Sequence, residues 1–354
     1  MSQNWLRHFE IRLTNKNGDV ITLSDFKATF QISWFNLSTE TRIADIKIYN
    51  LSDDTSNKIL GTEYNKIELV AGYDGLTDTV SASQVGVATP VPAGKEGQTD
   101  GENFGTIFNG EIVFSLKGRE NPTDTYIRIQ AEDSHQAFVY ATISQTISAG
   151  WGPVDYHLAL MKSFNEYGVV AGNIPEMPEI KFPRAKTMFG STRHYMDNLA
   201  AMCDARWMLV DGKVEMYKEN EHNGNPVVVL NSQTGLIGMP QQTIGNGINV
   251  RCLINPNITV NGLIQLDQKS VYQAALNEND VAMSRGRVTT ETVDGNIYQS
   301  GILSQPSSIA TDGVYIVNGI VYTGDTRGQA WYMDLMCYAR GDQTLRSQAS
   351  LNVG

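Results

Sequence analysis

The 354-residue sequence has few of the residues on which disulfide frameworks and metal sites depend. Its three cysteines lie far apart, form no Cys-x-x-Cys pair and have apolar or small neighbours, so we expect small core residues in a reducing compartment. The five histidines form no His-Glu-x-x-His motif, and the spaced carboxylates of an EF-hand are missing. The sequence therefore predicts no metal site and no cofactor.

Positive charge and long apolar runs are also scarce. The sequence has 38 acidic and 27 basic residues, and the resulting net charge of −11 disfavours general binding to nucleic-acid phosphates. No apolar run reaches the roughly 20 residues that cross a bilayer. The first ten residues lack the apolar core and cleavage site of a signal peptide. We therefore expect a soluble protein that is made in a cytoplasm.

Catalytic motifs are missing as well. The sequence has no Gly-x-Ser-x-Gly nucleophile motif, and the run from Gly86 to Lys95 lacks the spacing of a phosphate-binding loop. Glycoside cleavage needs two carboxylates across a cleft. With 38 acidic residues such pairs arise by chance, and no span is left for a separate lysozyme-like domain. We predict that the protein is not an enzyme.

Short alternating strands dominate the first part of the chain. The Asn17-Gly18 pair predicts a hairpin turn, and Ser52 followed by two aspartates predicts the start of a short helix that ends at Gly61. Many short antiparallel strands are typical of a β-barrel or β-sandwich. Strands are predicted at 8–13, 20–23, 30–34, 46–49, 66–73, 106–114 and 126–131.

A helical pattern marks the middle of the chain. A helix is predicted to end at Gly168, a second helix to begin after Ser191, and a hairpin to turn at Asp211-Gly212. The first of these helices carries four apolar residues at helical spacing, namely Val154, Leu158, Met161 and Phe164.

Composition divides the chain into several parts. The segment 77–103 is rich in Gly, Ser, Thr, Pro and Ala, so we expect a projecting loop that is either mobile or ordered against a neighbouring subunit. The fold is predicted to be mainly β with a small α+β domain and two antiparallel β-barrels. The predicted parts are a first β-barrel domain at 1–149, an α+β domain at 150–222, a second β-barrel domain at 223–345 and a loose tail at 346–354.

The strand predicted at 330–338 has apolar residues on both faces. Trp331 and Met333 alternate with Tyr332 and Met336, a pattern that favours a strand between a core and a partner. Most of the five tryptophans lie in predicted strands or beside predicted helices, so core packing is favoured over an exposed aromatic row that binds sugar.

The order of several runs resembles bacteriophage tail baseplate hub proteins, a family related to the hub part of type VI secretion spike proteins. The resemblance covers about residues 5 to 340. The runs are 46–51, 67–75 and 107–112 in the first part, 189–191 and 207–213 in the middle, and 234–240, 253–256 and 324–328 in the last part.

This resemblance implies a structural virion protein that forms a homotrimer in the tail baseplate. Each subunit would contribute two barrels like those of tail tube proteins, so that three copies form a pseudo-sixfold ring. The ring would join the hexameric tail tube to the trimeric central spike and contact the tape-measure protein and other baseplate proteins. Viral DNA would pass through its lumen without specific binding, and assembly would take place in the host cytoplasm.

Eight residues are candidates for an interface or a structural role. The run 324–328 is predicted to form a tight connection in which Asp325 accepts hydrogen bonds from turn N–H groups and Arg327 pairs with a carboxylate. A simple turn explains this run equally well. Gly238 is predicted to adopt a conformation that a side chain would forbid. The eight candidates are Gly238, Pro240, Gly324, Asp325, Arg327, Gly328, Trp331 and Met336.

Two other functions stay open on the sequence. A β-protein with exposed aromatic residues could bind carbohydrate on a host surface. A tail-associated protein with a suitable carboxylate pair could degrade peptidoglycan. Tight binding to one sugar would favour the first, and clearing of peptidoglycan that depends on one carboxylate would favour the second.

Overall fold

Antiparallel β-strands make up most of the residues that the computed structural model describes, which confirms the predicted mainly-β class. The predicted insertion at 77–103, apart from Asn103, and the predicted tail at 346–354 lie outside the described residues. The structure describes residues 6–36, 40–74, 103–218, 221–243, 247–266, 289–293, 296–300 and 313–339.

The first part of the chain follows the sequence prediction closely. The hairpin at residues 17–18 is confirmed, and the Ser52 hydroxyl accepts the Thr55 N–H at 3.2 Å at the start of the predicted helix. The Gly61 N–H donates to the Asn57 carbonyl at 2.7 Å where this helix ends. The elements are β1 Arg7–Asn15, β2 Val20–Ser24, β3 Ala28–Phe35, β4 Ile43–Tyr49, α1 Asp53–Leu60, β5 Tyr64–Tyr73, β6 Asn103–Arg119 and β7 Thr125–Glu132.

The middle part contains three helices and short strands. The elements are α2 His135–Tyr140, β8 Thr142–Ile147, α3 Pro153–Asn165, β9 Val170–Ala171, β10 Lys186–Ser191, α4 Thr192–Met202, β11 Ala205–Val210 and β12 Lys213–Lys218. Both predicted helices and the predicted hairpin are present, whereas α2, β8, β9 and β10 were missed.

The predicted apolar face of α3 is partly wrong. Val154 and Leu158 are 55% and 57% exposed. The buried face instead centres on Tyr156, Leu160 and Phe164, which are spaced four residues apart and lie in the core. Apolar residues therefore surround much of this helix, and only packing decides which of them are covered.

The last part of the chain is again built from strands. The strand predicted at 330–338 is found as Trp331–Ala339, with its ends shifted by one residue. The elements are β13 Val228–Leu230, β14 Leu236–Thr243, β15 Gly247–Cys252, β16 Leu263–Leu266, β17 Thr289–Val293, β18 Asn296–Ser300, β19 Val314–Asp325 and β20 Trp331–Ala339.

Strands from both ends of the chain share one 13-stranded sheet. Its main path runs β14-β15-β20-β19-β3-β4-β7-β6-β5-β1-β2, with β16 beside β19 and β13 beside β16. The joining pair is β3 with β19, in which Phe35 lies opposite Gly319 and Thr29 opposite Asp325. The sequence did not predict this pairing across nearly 300 residues.

Two main hydrophobic cores lie beneath these elements. The larger core draws on residues from Ile11 to Ala131 and from Leu230 to Ala339, whereas the second core contains residues from Ala137 to Met216. Met208 belongs to the larger core and Val210 packs against it, so β11 connects the middle part to the sheet. The predicted domain boundaries stay a prediction.

Burial of tryptophan and cysteine agrees with the sequence interpretation. Each of the four tryptophans that the structure describes is at most 7% exposed, and Trp5 lies outside the described residues. All three cysteines are buried and free, and burial raises the pKa of each thiol. Within the described ranges, no helix is long and apolar enough to cross a membrane.

Candidate interface site

The connection between β19 and β20, residues 326–330, is a tight turn built around one carboxylate. Oδ1 of Asp325 accepts the N–H of Arg327 at 2.9 Å and the N–H of Gly328 at 2.8 Å. The Asp325 N–H donates to the Ala330 carbonyl at 2.7 Å across the turn. The structure gives Asp325 the turn N–H donors that the sequence predicts. An interface role for this run stays a prediction.

Gly328 of this connection and Gly324, just before it in β19, have no room for a side chain. A Cβ at Gly328 would lie 2.3 Å from Oδ2 of Asp325, so a side chain would displace the carboxylate that holds the turn. A Cβ at Gly324 would lie 2.2 Å from the ring of Phe30, its partner across β3. Gly324 thus leaves room for an aromatic ring to lie over the sheet.

Trp331 belongs to an aromatic cluster beside Gly324. Its ring centroid lies 5.5 Å from that of Phe30 and 6.0 Å from that of Phe9, both at steep interplanar angles. The Phe9 and Phe30 rings stack at 5.0 Å. Because Gly324 pairs with Phe30 on one side and with Trp331 on the other, it lies between the two rings. Trp331 is 3% exposed, so its role in the subunit is packing.

Thr326 and Arg327 join the connection to the turn between β2 and β3. The Thr326 hydroxyl donates to the Phe26 carbonyl and accepts the Ala28 N–H, both at 2.9 Å. The Arg327 guanidinium donates to the carbonyl oxygen of Asp25 at 2.8 Å. The predicted carboxylate partner of Arg327 is therefore replaced by a main-chain carbonyl in the described structure, because the turn brings the backbone of residue 25 within reach.

Arg7 is a further part of this site that sequence reasoning missed. Its guanidinium donates to the carbonyls of Asp325, Gly328 and Gln329 at 3.0, 2.6 and 3.2 Å, and lies 5.4 Å from the centre of the Trp331 ring. A single arginine at the start of a strand carries no sequence signal for such a role, because its partners are more than 300 residues away.

Gly238 and Pro240 lie at the other end of the sheet, in β14. Gly238 has a φ of +70°, as predicted for a position that disfavours side chains. The pairing with β15 shifts between Ile237 and Gln241, which is a bulge. Pro240 is buried there, whereas Met239 is 59% exposed. A bulge with a proline is typical of an edge strand.

Met336 lies closer to this end of the sheet than to the connection. It pairs with Asn249 of β15, which pairs in turn with Gln241 of β14. Met336 is half-buried, and its Cε lies 3.0 Å from the position of a Cβ built at Gly319. The structure therefore separates the eight candidates into five in or directly beside the connection and three at the β14 end.

The second face of β20 is partly covered by the chain itself. Arg251 donates to both carboxylate oxygens of Asp334, at 2.7 and 3.0 Å. The same guanidinium lies 4.2 Å from the centre of the Tyr332 ring. This face therefore combines a two-bond ion pair with the half-buried Met336.

One cleft of the described structure lies between the first and last parts of the chain. It has a volume of about 640 Å³ and is lined by Phe104 and by valine, threonine, asparagine and proline side chains, mostly from β6, β13 and the segment 255–259. Its charged lining residue Arg12 is bound to Glu10 at 3.0 Å and to Glu68 at 3.4 Å. Among the residues described, no group of three or more His, Cys, Asp or Glu side chains is placed to hold a metal ion.

A family model described as baseplate hub gp41 matches residues 9–285 of the chain. The chain belongs to this baseplate hub family. The resemblance seen in the sequence is thus confirmed, and the protein is a structural component of the baseplate hub in a phage tail. None of the curated proteins matches the chain.

Solved tail proteins share the fold of this hub protein. A tail protein from Neisseria meningitidis MC58 aligns with a TM-score of 0.50 and 9% identity, over 96% of this chain and 98% of that one. The 43 kDa tail protein of prophage MuSo2 from Shewanella oneidensis aligns with a TM-score of 0.51 and 8% identity, over 95% and 98%. A type VI secretion system component from E. coli gives a TM-score of 0.45 and 7% identity, over 90% and 74%. At these identities the first two alignments show a common fold and nothing more.

Proposed function

We propose that this hub protein forms a trimeric, pseudo-sixfold ring that joins the hexameric tail tube to the trimeric central spike. Each copy contributes two tube-like barrels, so three copies present six similar units to the tube and a threefold arrangement to the spike. Membership of the baseplate hub family, over residues 9–285, is the observation that carries the proposal. The ring assembles in the host cytoplasm before the tail is complete.

The β14 end of the sheet supports a subunit contact. Met239 and Ile237 are 59% and 37% exposed on a strand that ends the main path of the sheet. Exposed apolar residues beside a strand edge are a suitable surface for another copy. A permanent ring of this kind buries more than about 2,000 Å² at each interface, so this strand would be one part of a larger contact.

Net charge supports the proposed channel. A chain with a net charge of −11 repels the DNA backbone, which carries one negative charge for about every 1.7 Å of duplex. DNA and the end of the tape-measure protein would pass along such a lumen without being retained. Tube, spike and other baseplate proteins are the proposed stable partners.

We further propose that the protein is not an enzyme. The cleft between the first and last parts of the chain is lined mainly by small apolar and amide side chains with one aromatic residue, and its arginine is already paired with two glutamates. Carbohydrate binding through a row of tryptophans is disfavoured because the four tryptophans that the structure describes are buried. A zymogram on purified peptidoglycan tests this proposal, and we expect no clearing. Clearing that disappears when one carboxylate is replaced would contradict it.

Oligomeric mass tests the ring directly. Light scattering and native mass spectrometry of the purified chain should give three times its 39.0 kDa mass, and electron microscopy should show a ring with sixfold appearance. A chain that stays monomeric up to the highest soluble concentration, alone and mixed with its tube protein, would contradict the proposal.

A further inference from the structure

A buried charge cluster joins the middle part of the chain to the sheet. Arg42, just before β4, forms a salt bridge at 3.0 Å with Asp133, just after β7, and a second salt bridge with Asp211 in the β11–β12 turn. The Asp211 N–H also donates to Asp133 at 2.8 Å. We call Arg42, Asp133 and Asp211 the Arg42 cluster.

The arginine of this cluster is buried between two aromatic rings and two acids. Its guanidinium lies 4.9 Å from the Trp34 ring centre and 5.4 Å from that of Phe108. Its side chain is 3% exposed. Burial opposes its charge, but Asp133 and Asp211 together outweigh burial and hold the pKa of Arg42 above its ordinary value. The arginine is therefore charged, and it needs at least one acid beside it.

The two acids differ in burial and in origin. Asp133 belongs to the sheet, is 2% exposed, and donates its N–H to the Arg42 carbonyl at 2.9 Å. Asp211 belongs to the middle part, and its side chain is 46% exposed. If Asp211 moves away, Arg42 keeps Asp133 and the buried charge stays compensated. If Asp133 were lost, the arginine would keep only a half-exposed partner.

The contact around Asp211 is also incompletely packed. A polar cleft of about 330 Å³ lies beside it, lined from the sheet by Lys66, Asn109 and Gly110 and from the middle part by Gly212 and Lys213. Water in such a cleft can solvate the Asp211 carboxylate and the turn backbone as soon as they separate from the sheet. Met208 supplies the buried apolar contact nearby, and the half-buried Val210 packs against the same core.

We propose that the Asp211–Gly212 turn is a releasable contact, through which the middle part of the subunit opens against the sheet while the Arg42–Asp133 pair stays closed. The motion is a local opening that begins at the turn and pivots on the Met208 contact. Local openings of this type are separate from global unfolding, and hydrogen exchange measures each of them. The device gives the hub subunit a hinge between its middle part and its sheet.

Hydrogen exchange on the purified full chain tests the proposal with three variants. Asp211→Asn keeps the left-handed backbone at φ +50°, which asparagine tolerates, and removes only the charge. We expect exchange of the amides at 209–213 to accelerate at least tenfold, with no change in β3, β4 and β7. Asp133→Asn should accelerate exchange in both the turn and these strands. Asp45→Asn, which breaks an exposed pair with Arg128 on the same sheet, is the control and should change neither.

Two results would overturn the proposal. The turn would not be held by this charge if Asp211→Asn left the exchange of 209–213 unchanged. The contact would not be separable if the turn and the strands β4 and β7 accelerated by the same factor in Asp211→Asn, because a single cooperative unit would then be opening. Both results are judged by comparing Asp211→Asn with the control Asp45→Asn. They therefore stay decisive even if Asp133→Asn does not fold.

Discussion

Thr326 links residues that lie about 300 positions apart in the chain. Its hydroxyl both donates to and accepts from the backbone at the start of β3. A net contribution of about 1 kcal/mol is typical for each such hydrogen bond, and an unsatisfied backbone group costs as much again. This one side chain therefore helps to hold the last hairpin of the sheet on the first.

Replacing Thr326 with valine keeps the shape and removes both bonds. We expect the free energy of unfolding to fall by about 1–2 kcal/mol, because the Ala28 N–H loses its acceptor. Urea denaturation of the purified chain measures the change. Thr22→Val, on the exposed side of β2, is the matched control and should change stability by less than about 0.5 kcal/mol.

His157 should make stability depend on pH. Burial on α3 lowers its pKa from 6.5, and among the described residues its Nε2 has no hydrogen-bond partner. Because the pKa is lower in the folded chain than in the unfolded chain, the contribution to stability is complete above about pH 6.5 and is lost as the pH falls through the lower folded value.

Thermal unfolding across pH 5 to 8 checks this expectation. We expect His157→Gln to flatten the acid side of the stability profile, whatever its effect on stability at neutral pH. His194→Gln, on the exposed side of α4, should leave the profile as steep as in the original chain. Equal profiles for the original chain and His157→Gln would show that burial of this ring has no such effect.

At the scale of elements, two candidate glycines are needed for different reasons. Gly324 needs space, since a Cβ would meet the Phe30 ring at 2.2 Å. Gly238 has open space around its Cβ position but a φ of +70°. The sequence motifs named both glycines as candidates. Only the structure shows that one is required by lack of space and the other by its backbone conformation.

Alanine at each glycine should show the difference. Gly324→Ala should lower the free energy of unfolding by about 2–3 kcal/mol through overpacking, and Gly238→Ala by about 1–2 kcal/mol through backbone strain. Adding Phe30→Leu should relieve part of the Gly324→Ala effect and none of the Gly238→Ala effect, because only the first pair is in contact. Additive costs in both double variants would contradict the assignment of space to Gly324.

Element prediction succeeded where the local signal was complete. The helix at Ser52 has a cap, acidic residues in its first turn and a final glycine, and all three are found in α1. The pattern of α3 was ambiguous because Val154 and Leu158 are apolar and exposed. The same limit applies to the candidate site. The turn at Asp325 can be predicted from its local sequence, whereas the contacts of this turn with Arg7 and Asp25 depend on residues far away in the chain.

At the scale of the whole molecule, side-chain exposure shows which substitution can test assembly without also disturbing the folded subunit. A charge at Met336, which is half-buried near Gly319, would disturb both the subunit and any contact. Met239 lies between the candidates Gly238 and Pro240 and is 59% exposed. It is therefore the better position for a test of the ring.

Met239→Asp should block the trimer while leaving the subunit folded. A carboxylate at a buried subunit contact must lose its water without gaining a partner, so light scattering should report the monomer mass with an unchanged circular dichroism spectrum. Met239→Leu is the control and should assemble normally. If Met239→Asp assembles as well as the original chain, β14 is not part of the interface.

The sequence by itself determined the mainly-β class, most strands, the turn at Asp325 and the resemblance to baseplate hub proteins. These features depend on alternation, caps and turn residues that act over a few positions. Only the tertiary structure decided that β3 pairs with β19, that Arg7 binds the last connection, and that Arg42 lies between Asp133 and Asp211. Each of these contacts joins residues that are far apart in the chain, and their energy depends on burial and distance, which a linear pattern does not contain.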